Sequence, residues 1–134
     1  MDVVIEIPAW SFRKAHYQDG EFQEQFVSAL PCPFNYGFAP GTMTEEGDPL
    51  DVIVIGPRLR QGDMVGVTPS LRVEFLDRGR RDDKMVARLD GAPLTPWDHL
   101  VLRVFFCLYV PLKWMIDLIQ GARGPTGVVA YRPL

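Results

Sequence analysis

Cysteine and histidine are scarce in this 134-residue chain, with two of each. Cys32 and Cys107 stand far apart with no pattern around them, which fits buried free thiols in a reducing compartment rather than a disulfide framework. No Cys/His pair has the spacing of a zinc site. Charge of one sign is also in short supply: the net charge is −3, and without a basic excess nothing points to nucleic acid as a partner. No basic segment precedes the first apolar run, which argues against a signal peptide and for a cytoplasmic protein. Internal repeats, linkers and low-complexity tracts are missing too. The apolar run 104–112 has nine residues between Arg103 and Lys113, too few to span a bilayer, so no membrane partner is expected.

What remains is an ordinary globular composition, 47% apolar and 23% charged, read as a single domain over residues 1–134 with enough chain to bury a core. Short β-like runs at 3–7, 21–30, 52–55, 64–68, 71–76, 85–89 and 128–131 are separated by turns such as Asp19-Gly20 and residues 60–63. That spacing predicts a small closed β-barrel. Near the C-terminus, Thr95 reads as an N-cap, with Pro96 at the first helical position and Asp98 in the first turn. A helix follows to about Val110, where Pro111 is expected to kink or break it. Apolar on several faces, it should pack on the barrel and on a neighbouring subunit. The expected class is α+β, mainly β.

Two acidic loops stand out. Glu46-Gly47-Asp48-Pro49-Leu50-Asp51 leads straight into the apolar run 52–55. Gly47 and Pro49 pre-shape this loop, and Asp51 falls at the mouth of a buried strand, where a carboxylate is costly unless a cation or donor meets it. The second loop, residues 77–84, carries Asp77, Asp82, Asp83 and Lys84 between two further β runs. Convergence of the two would make a cage of hard oxygen ligands suited to Mg²⁺, Mn²⁺ or Ca²⁺. Read singly, each loop is also compatible with solvated acidic turns.

Four segments then agree in order and spacing: Val3-Val4-Ile5-Glu6-Ile7-Pro8, Asn35-Tyr36-Gly37-Phe38, Gly47-Asp48-Pro49-Leu50-Asp51-Val52, and Asp77 followed by Asp82-x-Lys84. Over roughly residues 3–110 the chain resembles the soluble, Mg²⁺-dependent inorganic pyrophosphatases of the barrel type. The resemblance implies an OB-like closed barrel with a C-terminal helix packed on it. It also implies hydrolysis of inorganic pyrophosphate to two phosphates by a hydroxide generated on ions in the carboxylate cage. Mg²⁺ is the implied cofactor, with Mn²⁺ as a substitute, and a homo-oligomer the implied assembly. The metal ligands it implies are Glu46, Asp51, Asp77 and Asp82, and Asp48 takes the proton of the attacking water. Lys14 and Tyr36 have catalytic and substrate-binding roles, Lys84 and Tyr109 bind substrate, and Glu6 and His16 form the active-site wall.

The chain departs from the family at several positions, two of them on the leaving-phosphate side, where an arginine and a lysine are missing. Glu24 and Gln25 stand where the family carries an arginine, Val110 where a lysine follows the helix tyrosine, Arg78 where glutamate is frequent, and His16 in place of a carboxylate. Arg13, Arg78, Arg80 and Lys113 are the candidate replacement cations. Two other readings stay open: a hydrolase of organic or nucleoside diphosphates, and a metal- or phosphate-binding barrel without activity.

Overall fold

The computed structural model describes residues 1–27, 30–44, 47–121 and 124–134, and the side chains of 24–27 lie outside the description. Among the described residues, ten strands and one long helix follow in the order β1 (Asp2–Ile7), β2 (Arg13–Gln18), β3 (Glu21–Val27), β4 (Asn35–Ala39), β5 (Leu50–Ile55), β6 (Met64–Gly66), β7 (Leu71–Asp77), β8 (Arg80–Arg81), β9 (Lys84–Arg88), α1 (Pro96–Ile119) and β10 (Gly127–Pro133). The main sheet runs β10-β7-β9-β5-β4-β1-β6 with β8 paired to β7, and β2–β3 form a separate hairpin.

The mainly-β expectation with one C-terminal helix holds, but closure of the barrel does not. Among the described residues the hydrogen-bonded path stays open, with β10 and β6 at its ends. β6, the strand at one end, has only three residues and pairs with β1 alone.

Both faces of the sheet are covered. β5 is buried on both sides, as its continuous apolar run suggests: Ile53 joins Phe34, Val73, Phe75 and Val86 beneath Leu102 and Phe106 of α1. Val52 and Val54 turn to the other cluster, with Val3, Ile5, Val67 and Met85. β1 and β4 approach so closely that a side chain at Gly37 would collide with the Val4 carbonyl. Fully buried Asn35 fixes the neighbouring loops: its Oδ1 accepts from the backbone N–H of Ala9 (3.0 Å) and Leu59 (2.9 Å), and its Nδ2 donates to the Val54 and Pro57 carbonyls.

The start of α1 is as expected. Thr95 and Asp98 form a reciprocal capping box with Pro96 in the first turn. Its end is not: the helix continues through Pro111 to Ile119, 24 residues in all. Proline forfeits one backbone hydrogen bond, but Leu102 and Phe106 before it and Asp117 after it are buried and hold the turns on either side. Tertiary packing thus overrides the local breaker. By length and mean hydropathy (1.5) this helix is long and apolar enough to cross a membrane, unlike the nine-residue run read from sequence. One side of it, however, is core, and Asp98 and Asp117 on that side are buried in ion pairs with Arg88, Arg78 and Lys113.

Candidate active site

β5 and β9 pair in parallel, in a register that sets Asp51 opposite Lys84. Lys84 leads from the second acidic loop into β9, and its side chain is 8% exposed. Its ammonium lies 3.2 Å from Asp51 Oδ2 and 2.9 Å from Asp82 Oδ2, over the rings of Tyr36 (5.4 Å) and Phe75 (5.5 Å). The two loops therefore do converge, through Asp51 and Asp82.

Burial alone would lower the Lys84 pKa, but Tyr36, Asp51 and Asp82 outweigh it and keep the ammonium charged well above the usual range. Asp51 is pushed up, first by burial and also by Asp82, against the pull of Lys84. One ammonium does not balance two carboxylates. Half-buried Tyr36 sits beside Asp51 and Lys84, and desolvation drives its phenol well above the ordinary value.

Asp77, at the end of β7, turns to a different set of partners. Its Oδ1 is 3.5 Å from Lys113 Nζ and 4.0 Å from Arg78 Nε, yet this buried atom accepts no hydrogen bond. Lys113 and Arg78 instead each donate to Asp117 Oδ1 at 2.9 Å. Arg78 holds the left-handed conformation (φ 56°) at the β7–β8 turn and is thereby aimed at α1. Tyr109, one turn before Lys113, is pushed up to about 12 by burial, with Lys84, Asp77, Asp82 and Asp117 around it.

Glu6 and His16 lie side by side. Glu6 is buried, accepts the Tyr17 backbone N–H (2.6 Å), and lies 3.4 Å from His16 Nδ1. Burial raises its pKa, and Asp51 is close enough to add to the effect. Lys14 is more distant in role: its ammonium donates to the Ser11 carbonyl (3.1 Å), and burial lowers its pKa beside Cys32. Asp48 is exposed in the turn before β5, where its carbonyl accepts from the Thr44 N–H. Glu46 lies outside the described residues, as do the side chains of Glu24 and Gln25. Of the replacement cations, Arg78 and Lys113 reach the acidic site, while Arg13 and Arg80 are exposed.

Sequence reasoning missed Asp117 and Asn35. The i,i+4 spacing of Lys113 and Asp117 was the available signal for the first. Nothing in the motif around Asn35 separates a loop-tying amide from an ordinary strand residue.

Among the described residues, no three His, Cys, Asp or Glu side chains converge tightly enough to hold an ion unaided. The donor chemistry nevertheless fits a hard divalent cation. All the acceptors are carboxylate oxygens, Asp51 and Asp82 are one positive charge short, and Asp77 presents a buried oxygen that accepts no hydrogen bond.

Comparison with known proteins identifies the family. A family model described as inorganic pyrophosphatase matches residues 3–100. The inorganic pyrophosphatase of Sulfolobus acidocaldarius is 39% identical over 92 residues, covering 65% of this chain and 53% of the relative. Soluble inorganic pyrophosphatase 2 of Chlamydomonas reinhardtii is 41% identical over 95 residues, 63% of this chain and 46% of the relative. The chain thus spans about half the length of the curated relatives it matches. Among solved structures, the inorganic pyrophosphatase of Thermus thermophilus superposes with a TM-score of 0.86 at 25% identity, covering 99% of this chain and 82% of that one. That of Neisseria gonorrhoeae gives 0.83 at 27%, with the same coverage. The parallel β5–β9 pair, its Asp51–Lys84–Asp82 cluster and the match over residues 3–100 place this chain in the inorganic pyrophosphatase family.

Proposed function

We propose that the protein hydrolyses inorganic pyrophosphate to two phosphates with Mg²⁺ as cofactor and Mn²⁺ as a substitute. The observation that carries this reading is the pair of carboxylates, Asp51 and Asp82, converging from two loops on a single buried ammonium. Asp51, Asp82 and Asp77 would hold the ions, with Glu46 completing the set. When bound, divalent ions neutralise phosphate oxygens and bring the pKa of water down toward neutrality.

The chain's own groups do the rest. Lys84, Tyr36 and Tyr109 surround the acidic cluster and present an ammonium and two protonated phenols to an anionic substrate. Asp48, exposed on the loop entering β5, accepts the proton of the attacking water. Lys14 adds a cation from the β2–β3 hairpin. Glu6 and His16 brace the wall beside Asp51. The protein acts in the cytoplasm as a homo-oligomer, without nucleic acid or membrane partners.

Phosphate release from pyrophosphate in the presence of Mg²⁺ tests the proposal. Asp51→Ala and Asp82→Ala should abolish it while the fold, followed by circular dichroism, persists. Release from nucleoside diphosphates but not from pyrophosphate would reassign the substrate. No release from any phosphoanhydride with either metal would leave only a binding role.

A further inference from the structure

α1 and β10 leave a groove of about 390 Å³ between them, a volume within the range of small-molecule sites. Its floor is apolar, formed by Phe106, Val110, Pro111 and Val128. Three groups with hydrogen-bonding capacity surround that floor: the Arg103 guanidinium, the Cys107 thiol and the Tyr131 phenol. Among the described residues, none of these three side chains has a hydrogen-bond or carboxylate partner. Elsewhere Arg78, Arg81, Arg88 and Arg132 each meet a carboxylate. Arg103 instead lies over the Tyr131 ring, 4.2 Å from its centroid. Stacking of this kind holds a guanidinium by its face and leaves the N–H edge free to donate. Burial raises the Tyr131 phenol above its ordinary value, so its hydroxyl stays protonated at neutral pH and can donate as well.

We propose that this groove binds a small monocarboxylate with an apolar body, of the class of medium-chain fatty acids. The edge of Arg103 takes the carboxylate in the paired, in-plane geometry that the two groups share. The apolar body then covers Phe106, Val110 and Val128. Charge decides among the ligand classes of this size. One guanidinium matches one negative charge, whereas a phosphate ester carries nearly two and would meet only apolar lining on its other sides. An apolar cation is repelled by Arg103. A neutral apolar molecule leaves the guanidinium edge unused. The inference is independent of the pyrophosphatase reading, because Asp51, Asp82 and Lys84 take no part in the groove.

Calorimetric titration of sodium decanoate into the full chain tests the proposal, with decyltrimethylammonium as the control of opposite charge. The expected result is decanoate binding with a Kd of roughly a millimolar or tighter, and none of the ammonium. Arg103→Met should weaken decanoate binding by roughly ten- to hundredfold, the loss of one charge-assisted pair. Arg103→Lys should recover only part of it, because an ammonium lacks the planar fork. Cys107→Trp, at an exposed position, fills the groove with Arg103 intact and should abolish binding. Circular dichroism establishes that each variant is folded. A wild-type protein that binds no decanoate overturns the proposal. Equal binding of the two amphiphiles overturns it too, since the groove would then be an unselective apolar surface. Undiminished binding in either Arg103→Met or Cys107→Trp places the acid elsewhere and also overturns it.

Discussion

Asp51 and Lys84 lie directly opposite each other across the parallel pair β5–β9, with the ammonium 3.2 Å from the carboxylate. Their contact is a consequence of strand register. β5 and β9 are linked through β6, β7 and β8, so the acid closing one loop meets the lysine closing the other only when this parallel pair forms. A slip of β9 by one residue would turn Lys84 to the face of the sheet opposite Asp51 and disperse the site.

Removing the lysine should therefore expose the need for a second cation. Lys84→Met leaves Asp51 and Asp82 facing each other without compensation. A fully buried ion pair broken in this way costs ~3–5 kcal/mol. Because the Asp82 side chain is 38% exposed, a loss of about 2–3 kcal/mol is expected here. Millimolar Mg²⁺ should raise the Tm of this variant by more than it raises that of the wild type, since a competing cation has gone. Thermal unfolding with and without Mg²⁺ checks this. Equal Mg²⁺ shifts in the two proteins would mean that these acids do not share an ion.

Asn35 is expected to dominate the stability of the loops that lead to the site. Asn35→Ala leaves the buried N–H groups of Ala9 and Leu59 without their acceptor. Each such loss costs about 1–3 kcal/mol. Together they should lower Tm by roughly 10 °C or more in a domain of this size. A Tm within about 3 °C of wild type would show that these loops find other partners.

How much of this was legible follows the range of the interactions. The N-terminus of α1 is written in Thr95, Pro96 and Asp98, because capping is decided within four residues. The β5 strand and its acidic loop are legible for the same reason. Where α1 ends is decided by Phe106 and Asp117 docking on distant parts of the chain, and local reading gave the decision to Pro111 instead. Asp77 reads beside Asp51 and Asp82 in sequence because all three are acids on converging loops. Its actual neighbours, Lys113 and Arg78, come from α1 and a left-handed turn. Asp117 sits in an apolar stretch and reads as a surface charge until Arg78 and Lys113 close on it. Barrel closure depends on whether two edge strands meet, and no local pattern encodes that.

The start of α1 should also respond to acid. Asp98 is buried, which alone would raise its pKa. The hydrogen bonds from the Thr95 backbone and from Arg88 outweigh burial and hold the pKa below the usual carboxylate range. A depressed folded-state pKa contributes stability that is present above the unfolded value, near 4, and is lost as pH falls through the lower folded value. Urea unfolding at pH 6 and pH 3 should show a smaller acid-induced loss for Asp98→Asn than for wild type, with the variant less stable at pH 6. An unchanged difference between the two pH values would remove Asp98 from the acid response.

The cation on the leaving-phosphate side is expected to be Lys113. The resemblance places a lysine at position 110, directly after Tyr109. Here Val110 packs on the α1 core cluster and lines a groove toward β10 with Arg103, Cys107 and Tyr131. A lysine introduced there would point its ammonium into an apolar groove. Lys113 is one turn further on, at i+4 from Tyr109, and therefore on the same side of the helix. Its ammonium is 3.5 Å from the Asp77 oxygen that accepts no hydrogen bond. Arg78 also bonds Asp117, so loss of Lys113 leaves that buried acid paired. Lys113→Met should consequently keep the fold and lose one charge-assisted contact to phosphate. Such a contact is worth about 1.5–3 kcal/mol, or roughly ten- to hundredfold in rate or affinity. Calorimetric titration with inorganic phosphate and Mg²⁺, alongside pyrophosphate turnover, should show that loss for Lys113→Met and little gain for Val110→Lys. The opposite pattern, with turnover raised by Val110→Lys and untouched by Lys113→Met, would return the role to position 110.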